Sequence, residues 1–301
     1  MPDQTARKDD SSPVTVADLG SQALISMALH DAFPGDAIVG EEDARLMRAD
    51  PEGNIAQSVI HHVGAARPGP DAARIMDAID GCGAKGGPEG RFWTLDPVDG
   101  TKGFLRGGQY AVALSLIEDG EVMLGVLGCP NLPVDPHDAE AGLGCLFVAE
   151  RGAGTWMLPL DGGNEVAIKV KVPKALTRAR WVESVEPGHS ALETGAAVAK
   201  LLGLAAPLQM DSQAKYATVA RNQAAIYLRL PTEPAYRERI WDHAAGWLIV
   251  REAGGEVTDA DGAPFDFGRG RLLERNTGVV ATSGGDIHAA VLEAVASVLK
   301  G

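Results

Sequence analysis

Apolar residues recur at helical spacing early in the chain. Leu24, Met27, Ala28 and Phe33 fall on or near one face and predict a helix over 16–33. Pro34-Gly35 ends it, and Ala37-Ile38-Val39-Gly40 reads as a short buried strand running into Glu41-Glu42-Asp43. Residues 50–90 are partly helical around 71–79, followed by a glycine-rich loop at 81–87 that is expected to be mobile. Apolar runs at 110–117 and 122–128 flank Asp119-Gly120, a strong hairpin signal. A second hairpin is expected at 147–149 and 155–157, around Gly152 and Gly154. The pattern shifts near 160–174, where Asp161-Gly162-Gly163-Asn164 reads as a turn. Beyond it, strands are predicted at 181–185, 208–210, 225–230 and 278–282. Helices are predicted at 191–202, from a cap at Asp211 or Ser212 through 219, at 242–253 and at 287–299. The reading is an α/β (mixed α+β) chain in two halves that share a core. Residues 1–165 form an α+β half with antiparallel hairpins, and 166–301 an α/β half.

The charge balance narrows the partners. Lys+Arg number 27 against 41 Asp+Glu, a net charge of −14, so the surface repels nucleic acid and anionic lipid. An anionic substrate must meet cations and a few local Lys or Arg residues. Cys82, Cys129 and Cys145 show no metal-ligand spacing, and an odd, small count suits a reducing compartment. No apolar run reaches membrane-spanning length, and the polar start Met1-Pro2-Asp3-Gln4 lacks a signal-peptide core. A cytoplasmic monomer acting on a small molecule is expected, with no nucleic-acid or membrane partner.

The chemistry concentrates at Trp93-Thr94-Leu95-Asp96-Pro97-Val98-Asp99-Gly100-Thr101. An apolar lead-in ends in two carboxylates, then a glycine turn and a hydroxyl. Pro97 fixes φ and Gly100 permits a tight bend, so both Asp side chains can converge on one point. Converging carboxylates need neutralising, and oxygen-only ligands favour a hard divalent cation, Mg2+ before Zn2+. A plain turn between strands is the competing reading. Glu41 at a strand end, Asp242 at a helix start and Asp18 near the first helix start share this setting. Each also reads singly as a cap or a solvated loop acid.

Three segments together carry a resemblance. They are Gly40-Glu41-Glu42, the stretch from Trp93 to Lys102, and Trp241-Asp242-His243-Ala244-Ala245-Gly246 with Glu252-Ala253-Gly254-Gly255. The chain resembles the lithium-sensitive, Mg2+-dependent phosphomonoesterases that include inositol monophosphatase and fructose bisphosphatase. Further strings point to the 3'(2'),5'-bisphosphate nucleotidase branch. These are Lys102-Gly103-Phe104-Leu105-Arg106-Gly107, Gly128-Cys129-Pro130-Asn131, Glu186-Pro187-Gly188-His189-Ser190, Asp211-Ser212-Gln213-Ala214-Lys215-Tyr216 and Tyr227-Leu228-Arg229-Leu230-Pro231.

The resemblance implies a layered αβαβα sandwich of the sugar-phosphatase type and a set of roles. Glu41, Asp96 and the Val98 carbonyl would hold one Mg2+, and Asp96, Asp99 and Asp242 a second. A third, looser ion would sit near Glu41, with Glu42 behind it. Thr101 would position the attacking water, oriented by Asp18; with Glu41 these are the catalytic side chains. Gly100 and Thr101 N–H groups would meet phosphate oxygens. Lys215 and Arg229 would take the 5'-phosphate with Ser212, and His189 would lie against the adenosine. Read alone, Lys215 and Arg229 are surface charges.

The implied activity is hydrolysis of the 3'-phosphate of adenosine 3',5'-bisphosphate, with the sulfated analogue also accepted; lithium inhibition is implied by the resemblance alone. An inositol polyphosphate 1-phosphatase or inositol monophosphatase is the enzymatic alternative. Family members usually carry a further helix before the first acid, whereas 17 polar residues precede Asp18 here. That departure raises a catalytically weak nucleotide- or metal-binding sensor as the non-enzyme alternative.

Overall fold

The first helix starts on a reciprocal cap. The Asp18 carboxylate accepts the Thr15 N–H at 2.8 Å, and Thr15 Oγ1 accepts the Asp18 N–H at 3.3 Å. The cap satisfies donors that a helix start leaves open. The computed structural model describes residues 5–7, 13–186, 191–233 and 235–300. A ribbon of β1 (Thr5–Arg7) and β2 (Pro13–Thr15) leads straight into this helix, α1 (Val16–Ala32). Then come β3 (Ala37–Gly40), α2 (Arg45–Ala49), α3 (Asn54–Ala66) and α4 (Ala72–Asp80). Residues 81–87, expected to be mobile, instead run against β3. Gly83 bridges Val39, Gly40 N–H donates to Cys82 O at 2.8 Å, and Ala84 N–H to Ile38 O at 3.1 Å.

The large sheet adds β4 (Arg91–Asp99), then, after the short helix α5 (Thr101–Leu105), β5 (Ala111–Glu118), β6 (Glu121–Asp135), β7 (Asp138–Glu150), β8 (Gly154–Pro159) and β9 (Val166–Ile168). Its order is β3-β4-β5-β6-β7-β8-β9, with β3 and β4 parallel and every other pair antiparallel. The Asp119-Gly120 turn has both φ values positive, 49° and 80°, as a hairpin of this hand requires. Strands β6 and β7 are longer than the apolar runs at 122–128 and 147–149 suggested. Register shifts between Cys129 and Pro133, and between Pro133 and Asp135, break the alternation that marks a strand in sequence.

The smaller sheet holds β10 (Trp181–Glu183), then, past α6 (Leu192–Leu201), β11 (Leu208–Gln209); past α7 (Ala214–Ala220), β12 (Ile226–Arg229); and past α8 (Ala244–Glu252), β13 (Glu256–Thr258) and β14 (Val279–Thr282). The last helix is α9 (Asp286–Lys300). Strand order is β11-β10-β12-β14-β13, parallel around β10 and antiparallel around β14.

Side-chain packing stacks these parts in five layers. Helices α1, α3 and α4 pack on one another through Leu19, Met27, Val59, Val63 and Ile75. Along β5 burial alternates. Ala111, Ala113 and Ile117 face the central core with α7 and α8, while Leu114 and Leu116 turn to the α1 side. The central core continues into the smaller sheet at Val182, Tyr227 and Ala281. On that sheet's outer face, Val198 of α6 and Val291 and Val295 of α9 pack on Ile226, Leu228 and Val280. This is an αβαβα sandwich. At Gly246 an added Cβ would come within 2.2 Å of the Tyr216 ring, so the α7–α8 contact admits only glycine. Among the described residues no helix is long and apolar enough to cross a membrane.

Candidate active site

Asp96 and Asp99 sit three residues apart on β4, a spacing that places side chains on opposite faces of a regular strand. Here Asp96 pairs with Ala113 and Asp99 with Ala111, so three steps on β4 answer two on β5. The extra residue reverses the alternation and brings both carboxylates to one cleft. Pro97 fits the bulge because it has no N–H to lose. The Val98 N–H donates to Asp96 Oδ1 at 3.1 Å, and the Gln213 N–H donates to Asp99 Oδ2. Gly100 then turns through φ 84°, with Ser212 so close that an added Cβ would meet its Cβ at 3.0 Å, and Thr101 opens α5.

The cleft, about 440 Å3, gathers Glu41, Asp96, Val98, Asp99, Gly100, Thr101, Ser212, Lys215, Arg229 and Asp242. Glu41 follows β3, which lies parallel beside β4, with the Glu41 N–H on Leu95 O at 3.2 Å. Asp242 sits in a 3-10 turn, Ile240–Asp242, just ahead of α8 rather than inside the helix expected at 242–253. Arg271 ties these two segments together. It donates to Gly40 O at 2.6 Å and to Ala84 O at 3.0 Å while its guanidinium lies 4.6 Å from the centre of the Trp241 ring.

The carboxylates strain one another. Burial, then Glu41, Asp99, Asp242 and Asp18, push Asp96 well above the usual carboxylate range. Burial pushes Asp99 up to about 6 against the pull of Lys215, and Asp242 also rises well above its usual value, chiefly through burial. A cluster of oxygen donors that resists its own ionisation is the donor set a hard divalent cation relieves.

Asp18 serves two neighbours. Its Oδ2 caps α1, and its Oδ1 lies 3.3 Å from Thr101 Oγ1, which also lies 3.2 Å from the Val98 carbonyl. The hydroxyl carries one proton and donates to one of them at a time.

Opposite the acids stand Lys215 and Arg229. Neither is the surface charge its sequence setting suggests. Lys215 is 3% exposed, and burial lowers its pKa to about 8. Its Nζ donates to Met210 O at 3.3 Å and lies 5.4 Å from the centre of the Tyr227 ring. Arg229 is gripped by Glu238 and lies 3.9 Å from Asp242. Glu42 does not line the cleft; its backbone is clamped by the Gln22 amide, with the Glu42 N–H on Gln22 Oε1 at 3.0 Å and Gln22 Nε2 on Glu42 O at 2.7 Å. His189 lies outside the described residues.

One wall of the site, Glu238, went unread in sequence. Glu238, Asp242 and His243 bring one ligand atom each within 4.8 Å of one another. Glu238 is spent on Arg229 and His243, and His243 on Tyr216, so Glu238 and His243 form the wall behind Asp242. At the rim Lys102 meets Glu186 at 3.4 Å, and Arg106 joins Glu186 to Asp211. Gln213 links the halves, its N–H donating to Asp99 Oδ2 while its side chain donates to Trp241 O at 2.8 Å and accepts the Gly246 N–H at 3.1 Å.

Residues 2–300 match the inositol monophosphatase family. A 3'(2'),5'-bisphosphate nucleotidase of Emericella nidulans is 47% identical, with 98% of this chain and 91% of the relative covered. One of Schizosaccharomyces pombe is 44% identical, with 97% and 86% covered. Among solved structures, an IMPase/NADP phosphatase complexed with Mg2+ and phosphate shares 17% identity at a TM-score of 0.61, with 96% of this chain and 85% of that one covered, and so shares the fold.

Proposed function

The chain belongs to the inositol monophosphatase family, and from that we propose that it is a 3'(2'),5'-bisphosphate nucleotidase. It removes the 3'-phosphate of adenosine 3',5'-bisphosphate to leave AMP, and accepts the sulfated analogue. The observation that carries this reading is the pairing, in one cleft, of a strained carboxylate cluster with two cations, buried Lys215 and partly buried Arg229. A monophosphate needs the acid cluster alone. A second phosphate needs a second positive wall.

The donor set suits Mg2+. Glu41, Asp96 and the Val98 carbonyl would hold one ion, and Asp96, Asp99 and Asp242 another, with a third near Glu41; Glu42 supports that loop from behind. Bound there, Mg2+ supplies an activated water and charge neutralisation for the phosphate. The chain's own groups do the rest. Thr101 orients the water, and Asp18 receives the proton through the Thr101 hydroxyl. Gly100 and Thr101 N–H groups at the start of α5 meet phosphate oxygens. Lys215 and Arg229, with Ser212, take the 5'-phosphate, the Arg fork offering two donors to one phosphate. His189 stays the candidate for the adenosine.

Phosphate release should be compared, with and without Mg2+, across adenosine 3',5'-bisphosphate, its sulfated analogue, inositol 1,4-bisphosphate and inositol 1-phosphate. Mg2+-dependent release from the two nucleotides, well above the inositols, is the expected result. Preference for inositol 1,4-bisphosphate would move the chain to the polyphosphate 1-phosphatases. Nucleotide binding without release would make it a sensor.

A further inference from the structure

A second cavity, about 610 Å3, is lined by Lys171, Arg180, Arg221, His137, Asn222 and Gln223. Among the described residues no carboxylate lines it, although the chain carries 41 acids against 27 bases. Elsewhere arginines of this acidic surface sit on carboxylates, as Arg48 does on Asp77 and Asp80 and Arg151 on Glu121. Among the described residues Lys171, Arg180 and Arg221 have no such partner within ion-pair distance.

Arg221 is fixed by neutral groups. Its Nε donates to Gln223 Oε1 at 2.6 Å and its Nη1 to Pro133 O at 2.6 Å, while the buried Nη2 has no partner. Burial works against its charge, and Asp135 acts on it only from longer range. A guanidinium stays protonated in such a setting, so its charge asks for compensation. Asn222, at φ 68°, anchors the neighbouring segment by donating to Lys169 O at 2.9 Å and accepting the Lys171 N–H. The cations are therefore held around the cavity by backbone and amide contacts, with their charge left over.

We propose that this cavity is a binding site for a small phosphate- or sulfate-bearing anion, separate from the cleft. Arg221 supplies charge and its one unengaged nitrogen, Nη2, from the wall, and Lys171 and Arg180 supply charge from the rim. The space suits a ligand of nucleotide size rather than a single ion. Helix α7 joins it to the cleft. Lys215 lies in its first turn and Arg221 caps its last.

The test uses the whole chain stripped of Mg2+ with chelator. The cleft keeps its own cations, Lys215 and Arg229, so the comparison with a variant altered only at the second cavity assigns the bound anion. Thermal midpoints are followed against sodium sulfate at constant ionic strength. The wild type should show a saturable rise. A Lys171→Gln/Arg180→Gln variant, altered only at exposed side chains, should bind at least about tenfold more weakly and keep only the linear rise common to excluded salts. Superimposable curves, or a purely linear wild type, would overturn the proposal. The outcome stands apart from the nucleotidase reading, since no turnover enters it.

Discussion

Arg229 and Glu238 form a two-pronged ion pair beneath the cleft, with Nε–Oε1 at 2.8 Å and Nη2–Oε2 at 2.7 Å. Burial alone would raise the Glu238 pKa, but Arg229 and His243 hold it at about 2. His243 Nε2 lies 3.2 Å from Glu238 Oε2, and Nδ1 lies 2.8 Å from the Tyr216 hydroxyl. Burial keeps this imidazole neutral, so Nε2 carries the proton toward the carboxylate and Nδ1 accepts from Tyr216. The chain Tyr216–His243–Glu238 thus aims Arg229 at the cleft.

Arg229→Ala should therefore hurt a bisphosphate selectively. Two charge-assisted hydrogen bonds are worth about 3 kcal/mol together, or about a hundredfold in kcat/KM for adenosine 3',5'-bisphosphate. A nucleoside 3'-monophosphate should lose far less. Equal losses on both would remove Arg229 from the 5'-phosphate site. The same change leaves Glu238 buried without its partner, so stability should drop by about 3–5 kcal/mol in urea titrations.

Asp96→Asn separates metal binding from folding. The wild-type carboxylate is held against burial and four acidic neighbours, Glu41, Asp99, Asp242 and Asp18. Without Mg2+ the amide should fold at least as stably as the acid. With Mg2+, calorimetry should show the tight binding isotherm lost and turnover reduced by at least about 10³-fold, the range seen when a reaction loses its main electrostatic support. Turnover within tenfold of the wild type would refute Asp96 as the shared ligand.

What could be read in the sequence depended on where a residue sits. Glu41, Asp96 and Asp99 were legible where apolar strand runs end and Asp242 at a helix start, and because each also reads singly as a turn acid, loop acid or cap, it was the motifs of the resemblance that joined the four. The Asp96–Asp99 spacing did not disclose the bulge that makes it work, since register with Ala111 and Ala113 is a tertiary fact. Glu238 was illegible, lying in Tyr236-Arg237-Glu238-Arg239, which reads as a solvated charge run, yet it is 3% exposed. Lys215 and Arg229 read as surface cations for the same reason: the aromatic wall of Tyr216 and Tyr227 that buries them assembles from separate elements. Helix α3 was blurred because its buried Ala56, Val59 and Val63 make a narrow stripe among polar residues.

Thr15→Ala and Asp18→Asn should part stability from chemistry. Thr15 meets Asp18 and not Thr101: its Oγ1 accepts the Asp18 N–H and donates to Asp18 Oδ2, so its loss should cost about 1 kcal/mol and lower kcat far less than loss of the carboxylate itself. Asp18→Asn weakens the same cap and also replaces the carboxylate 3.3 Å from Thr101 Oγ1 with a neutral amide that cannot take up the proton. Its kcat should fall by about 10²-fold or more, as general-base losses do, and Thr101→Val should fall alike while Thr101→Ser holds. Matching kcat values for Thr15→Ala and Asp18→Asn would reduce Asp18 to a capping residue.

Acid sensitivity should trace in part to His288, which lies outside the cleft and has Glu256 as its acidic neighbour. Its Nε2 lies 3.1 Å from Thr258 Oγ1 and its Nδ1 3.0 Å from Thr282 Oγ1. Thr258 spends its own proton on Asp259 O at 3.0 Å, so His288 Nε2–H is the donor there and Nδ1 accepts from Thr282. A second ring proton would set Nδ1–H against that hydroxyl, and burial lowers the His288 pKa below its ordinary 6.5. The unfolded chain therefore takes up the proton first. Stability from this group is intact above about pH 6.5 and falls as pH drops toward the folded pKa, by up to about 1.4 kcal/mol per pH unit. A His288→Gln variant lacks that term, so its urea midpoint should trail the wild type most at pH 7.5 and close the gap by pH 5.5. Parallel curves across that window would show that His288 is protonated equally in both states.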